Sequence, residues 1–267
     1  RSKLGIKKIG HCGTLDPLAT GLLPVCVGEA TKYSNYASNL DKVYEVGIQF
    51  GVETDTGDIT GQIVSETQFS GFRANFDQDI QGLIGVHDQI PPMYSAIKMN
   101  GNPLYYWARK GVHLYREPRR IFIKEIELIK KSENTALLKV ACSKGTYIRS
   151  LVEKLGRDLG SCATMISLRR VEVGDLVLDE ESCSLDETQD SLIRKFLPCD
   201  AMLGGMDKIE LNSEDTKKVR NGVSIDYNAQ LKNKGLVRIY TEKELFIGIG
   251  ELNRSNKLLP KRLLSTN

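Results

Sequence analysis

The chain has 267 residues, 40% of them hydrophobic and 27% charged, with a formal net charge of +3. That balance predicts an ordinary globular protein with room for one large domain and a small one, or two medium ones. It excludes a helical membrane protein, since no apolar run approaches the ~18 residues a spanning helix needs, and no secretory leader pattern is visible.

In chain order, the first feature is "GHCGTLDPLATGLLPVCVGEATK" at residues 10–32, where six glycines or prolines stand among small and apolar residues. It predicts a tightly turning loop. Its Asp16, just before Pro17, has two readings: a cap for a turn, or a sheltered carboxylate able to act as a nucleophile. On residue type alone the cap is the commoner role. Residues 43–51, "VYEVGIQFG", alternate and are rich in β-formers, so they predict a strand. Residues 52–64 predict a turn-rich hairpin returning into "QIV". Apolar spacing predicts a helix over about 73–84. "QIPPMYSAIKMNGNPLYYWARKG" predicts an exposed loop leading into a short helix that ends near Gly111.

"RRIFIKEIELIK" and "ALLKVACS" predict a pair of strands. "GTYIRSLVEKLGRDLG" carries apolar residues at Ile148, Leu151, Val152 and Leu155 and predicts an amphipathic helix, with Thr146 as N-cap and Gly160 as stop. "MISLRRVEVGDLVL" is strand-like, and an acidic helix is expected from there to about Phe196. "LPCDAMLGGMD" breaks the pattern and predicts a domain boundary. The remainder reads as a strand, a helix capped by Ser213 and stopped at Gly222, and two strands around a Thr-Glu-Lys-Glu turn, a small β-rich module.

The six cysteines form no C-x-x-C pair, and with three scattered histidines they offer no zinc spacing. Free thiols in a reducing cytoplasm are therefore expected, with no metal and no cofactor. Basic residues crowd residues 109–124 and 144–170, while acids gather at 179–190. This patchiness fits a polyanion partner, or equally a set of solvated helix faces. Walker-type, dinucleotide-binding, H-E-x-x-H and G-x-S-x-G motifs are all missing. What remains is Asp16 in its loop, Arg149 at a helix start, and the aromatic-basic loop near residue 100. An arginine paired bidentately with Asp16 would keep it charged and oriented.

"GHCGTLDPLATGLLPVCVGEATK" closely resembles the catalytic motif of the TruB family of tRNA pseudouridine synthases. "KVYEVGIQFGVETDTGDITGQIV", "QIPPMYSAIKMNGNPLYYWARKG", "CSKGTYIRSLVEKLGRDLG" and "ISLRRVEVG" resemble later motifs of that family in the right order, and the C-terminal module resembles a PUA domain. The resemblance implies an α+β protein: a mixed, mostly antiparallel sheet flanked by helices and loops over residues 1–203, and a PUA-like RNA-binding barrel over 204–267. It implies isomerisation of a uridine in the T-loop of tRNA, by a cytoplasmic monomer that needs no protein partner. Asp16 becomes the catalytic aspartate, Arg149 its partner, and Tyr44 the residue that stacks on the target base and helps the proton step. His11 would contact RNA, Tyr147 the bound nucleotide, and Leu168 would line the uracil pocket. Cys12 replaces the threonine common in the motif. The family's Lys-Pro-x-Gly segment ahead of "KKIGH" is absent, so its N-terminal strand is expected to be missing. A guide-RNA-dependent synthase and a non-catalytic tRNA-binding protein are the alternatives.

Overall fold

The structure is a computed structural model and describes residues 1–228 and 235–265. The chain divides into two compact units. One comprises Leu15–Leu22 and Leu40–Leu178, the other Arg1–Thr14, Leu23–Asn39 and Asp179–Asn267.

The first unit is built on a seven-stranded sheet. Six strands follow in the order Leu176–Val177, Ala163–Val173, Lys42–Phe50, Thr135–Cys142, Arg119–Ser132 and Gly85–Gln89, each antiparallel to its neighbour. The seventh, Thr20–Gly21, lies parallel to Arg169–Arg170. The strand pairs expected from alternation at 43–51, 119–130 and 136–143 are all present. Alternate side chains of a strand share a face, so Lys42, Tyr44, Val46, Ile48 and Phe50 point one way. Their ladder partners Cys142, Val140, Leu138 and Ala136 lie on that same face. The helix Ile148–Asp158 covers it with Ile148, Leu151, Val152 and Leu155, all buried in one cluster with Val46, Ile48 and Phe50. One end is closed by aromatic rings: Phe50 stacks on Phe69 with centroids 4.9 Å apart and meets Phe72 and Phe76 edge-on.

The strand Ala163–Val173 carries an irregularity that decides what reaches this face. Met165 pairs with Ile48, but Ser167 pairs with Gly47, so one residue is extra. An inserted residue inverts the alternation beyond it. Ala163 and Met165 face the core before it; Leu168 and Arg170 do so after it, opposite Val46 and Tyr44.

Three local expectations are corrected. The helix expected over 73–84 is only Phe76–Gln81, because just Phe76 and Ile80 are buried along it and the chain turns at Gly82. Thr146 does not cap the next helix: its hydroxyl donates to the Ser143 carbonyl at 2.9 Å, and Tyr147, in extended conformation, holds the cap position. The acidic segment is helical only over Gln189–Arg194. Before it, side chains bind the backbone in turns, as where Ser184 N donates to Glu187 Oε1 at 2.8 Å.

The second unit contains a five-stranded sheet ordered Asp207–Leu211, Gly235–Thr241, Phe246–Leu252, Lys257–Leu263 and Ile225–Asp226, parallel only at its first pairing. The strand Lys257–Leu263 was not foreseen. The helix Ser213–Arg220 lies where expected, but Asn212 caps it, its side chain accepting from Asp215 N at 2.7 Å. The hairpin of Ile9–His11 with Val25–Val27 belongs to this unit, with the buried Cys12 and Cys26 sulfurs 3.2 Å apart. Tyr33 donates to the Arg262 carbonyl and meets Phe246 edge-on, tying the segment after the hairpin to the sheet. Among the described residues, no helix is long and apolar enough to cross a membrane.

Candidate active site

Asp16 opens a turn in which its backbone carbonyl accepts from Ala19 N at 2.9 Å, with Pro17 in the position that proline favours. The turn is thus closed by backbone, and the carboxylate is left for another partner. That partner is Arg149, in the first turn of the helix Ile148–Asp158. Arg149 Nε donates to Asp16 Oδ2 at 2.9 Å and Nη2 donates to Oδ1 at 3.1 Å, the fork-to-fork arrangement expected from the sequence.

The pair is asymmetric in its surroundings. The Arg149 side chain is 4% exposed and the Asp16 side chain 31%. Arg149 Nη1 donates to the Thr56 carbonyl at 2.9 Å and Nη2 to the Tyr94 carbonyl at 2.8 Å. A cation at a helix N-terminus opposes the helix dipole, and the carboxylate with these two carbonyls offsets that. The guanidinium is therefore fixed from three directions, while the carboxylate keeps an open side. Such an arrangement can hold the carboxylate toward a bound molecule in a constant orientation.

Tyr44 sits half-buried on the sheet face, between Val140 and Arg170 in the ladder. Burial raises its phenol above the ordinary tyrosine range, opposed by the adjacent Arg170 guanidinium; the negative charge of Asp16 raises it further. Leu168 is 6% exposed, pairs with Val46 and lies one step from Tyr44 on the same face. Tyr147 precedes the Arg149 helix. Its N–H donates to Gln89 Oε1 at 2.8 Å, and its carbonyl accepts from Gln89 Nε2 at 3.0 Å, so one amide side chain fixes its backbone. Asp16, Tyr44, Tyr147, Arg149 and Leu168 all belong to the first unit. His11 lies in the second, exposed at the end of Ile9–His11 opposite Val25.

Several residues with evident roles here were not singled out from the sequence. Thr56 and Tyr94 act through backbone carbonyls, which no side-chain motif announces. Asp58, 5% exposed, accepts from Thr60 N at 2.9 Å and from the Thr56 hydroxyl, and so shapes the turn that supplies the Thr56 carbonyl. Glu153, one turn beyond Arg149, is raised above the usual carboxylate range by burial, with Arg157 opposing. Arg170 is 1% exposed, although it was noted only as surface charge. A cavity of about 680 Å³ adjoins the Arg149 side of the pair, lined among others by Thr56, Pro92, Tyr94, His113 and Glu153. Asp16, Tyr44, Tyr147, Arg149 and Leu168 are not among the residues that line it.

The unit that carries the arginine-clamped carboxylate, Tyr44 and Leu168 belongs to a fold with counterparts among solved structures. Solved structures of a Cbf5-Nop10-Gar1 complex and of an H/ACA RNP bound to a substrate RNA containing 2'-deoxyuridine superpose with TM-scores of 0.72 and 0.75. They are 23% and 19% identical, and each comparison covers 99% of this chain and 78% of that one.

Sequence likeness is more specific. Residues 1–148 match the N-terminal domain of the TruB family pseudouridylate synthases, residues 149–204 the tRNA pseudouridylate synthase B C-terminal domain, and residues 208–264 the C-terminal region of pseudouridine synthase II TruB. The tRNA pseudouridine synthase B of Dechloromonas aromatica is 42% identical over 262 residues, spanning 96% of this chain and 86% of its own. That of Chromobacterium violaceum is 40% identical over 266 residues, spanning 98% and 87%. The chain belongs to the TruB family of pseudouridylate synthases.

Proposed function

We propose that this protein isomerises a uridine in the T-loop of tRNA to pseudouridine, with Asp16 as its catalytic aspartate. The carrying observation is the bidentate Arg149–Asp16 pair, buried on the arginine side and open on the aspartate side. The reaction breaks the C1'–N1 bond, turns the uracil and joins C1' to C5. The proton on C5 leaves to solvent and N1 gains one, so no redox partner is required. A base inside a folded RNA must leave its stack to be reached.

The candidate roles then distribute as follows. Arg149 holds Asp16 aimed, Tyr44 presents its ring to the extruded base, Tyr147 contacts the nucleotide, and Leu168 supplies an apolar wall for the uracil. His11 contacts RNA, and residues 204–267 act as a PUA-like RNA-binding module. Folded RNA loops are read through such stacking and through basic contacts to phosphate, which the positive residues of segment 109–124, with Lys144, Lys154, Arg157 and Arg169, support. The protein works in the cytoplasm as a monomer on tRNA alone.

Tritium release from 5-tritiated uridine in a T-arm hairpin tests this reading. Release by the purified chain without any guide RNA is expected. Binding without release would instead fit a tRNA-binding protein, and release only with added guide RNA would fit a guided synthase.

A further inference from the structure

Among the described residues, Arg170 is the largest fully buried side chain, at 1% exposure. Burying a guanidinium is costly unless its N–H groups are satisfied, so its partners indicate its use. Nε donates to the Leu22 carbonyl at 2.7 Å. Its own carbonyl accepts from Leu22 N at 2.8 Å, and its backbone pairs in parallel with Gly21. On another side it stands beside Tyr44, which lies directly across the ladder and whose phenol feels the guanidinium charge.

Leu22 ends the short segment Leu15–Leu22 that carries Asp16. The approach at Gly21 is close enough to be exclusive: φ is +92°, and a Cβ there would stand 2.2 Å from the Arg170 carbonyl oxygen. One buried side chain thus joins the segment bearing the carboxylate to the tyrosine beside it. The extra residue between Met165 and Ser167 is what turns Arg170 inward to do so.

We infer that Arg170 is a positioning residue for the proposed isomerisation, setting the Asp16 segment and the Tyr44 phenol relative to each other without touching RNA. The inference rests on the activity proposed above. A lysine at this position keeps the charge but has a single nitrogen, which cannot satisfy the Leu22 carbonyl and stand beside the phenol with the same fixed fork. Misplacing reacting groups by a fraction of an ångström to an ångström lowers rate far more than binding.

The experiment compares wild type and Arg170→Lys by single-turnover pseudouridine formation on a T-arm hairpin, and by hairpin affinity. The expected result is a rate lower by about 10–100-fold with affinity unchanged within about threefold. In a Tyr44→Phe background the same substitution should cost clearly less, because part of its effect runs through the phenol. Equal rates for Arg170→Lys and wild type overturn the inference. So does a loss of rate matched by an equal loss of affinity, or a loss that multiplies fully with that of Tyr44→Phe. If Arg170→Lys does not fold, Gly21→Ala tests the same anchor with the guanidinium in place. It should lower rate and spare affinity, and wild-type turnover by it overturns the inference. An inactive wild type would instead remove the proposed activity itself.

Discussion

Replacing Arg149 by methionine removes the guanidinium while keeping most of the side chain's apolar length. Four hydrogen bonds are lost: two to Asp16, one to the Thr56 carbonyl and one to the Tyr94 carbonyl. Removing one partner of a buried ion pair costs about 3–5 kcal/mol. The Asp16 side chain, 31% exposed, can regain water where Arg149, at 4%, could not, so the lower end of that range, about 3 kcal/mol, applies. For a unit of this size that corresponds to a fall in Tm of roughly 6–12 °C. The effect on rate is larger, because the carboxylate loses its orientation as well as its counter-charge: single-turnover tritium release should fall by about 10²–10³-fold. Arg149→Lys should recover part of the Tm and little of the rate, since an ammonium cannot serve both carboxylate oxygens and two carbonyls. Thermal unfolding and tritium release on the same preparations are the assays. An Arg149→Met protein that melts within 2 °C of wild type, or one that retains more than about a tenth of its rate, would refute the reasoning.

Other expectations follow from the same coordinates. Asp16→Asn keeps a hydrogen-bonding side chain but leaves the Arg149 charge buried without its counterion, so Tm should fall by several degrees although no volume is removed; an unchanged Tm would contradict the burial argument. Phe50→Ala, at the centre of four packed rings, should cost about 3–5 kcal/mol while sparing turnover per folded molecule below the transition. Burial, helped by the nearby Arg170 charge, lowers Lys42 to about 8. Between that value and the unfolded lysine value of about 10.4 the unfolded chain holds a proton that the folded chain has released. Stability contributed by this site should therefore rise with pH from about 8 to about 10. Chemical denaturation across that range should show the rise in wild type and a flatter course in Lys42→Met; parallel courses would remove Lys42 as its source.

Much of this architecture was legible because its determinants are local. The strands Lys42–Phe50 and Thr135–Cys142 alternate with a period of two, and the helix Ile148–Asp158 carries its apolar residues at 148, 151, 152 and 155. Asp16 and Arg149 were found through motifs, and their distance is a fact of the fold that neither residue reveals alone. Arg170 was misjudged as surface charge because pattern reading assumes unbroken alternation, and the extra residue after Met165 reverses it. Thr56 and Tyr94 stayed hidden because they bind Arg149 through carbonyls that any residue could provide. Thr146 and Ser213 were plausible caps by type, yet a hydroxyl in a turn often has a nearer carbonyl to serve, as Thr146 does with Ser143.

The central claim is that Asp16 carries the chemistry. The most direct measurement is tritium release from 5-tritiated uridine in a T-arm hairpin by wild type and by Asp16→Asn, with hairpin affinity measured alongside. The account predicts stoichiometric release by wild type and none by Asp16→Asn, with both proteins binding the hairpin. Normal release by Asp16→Asn would contradict it.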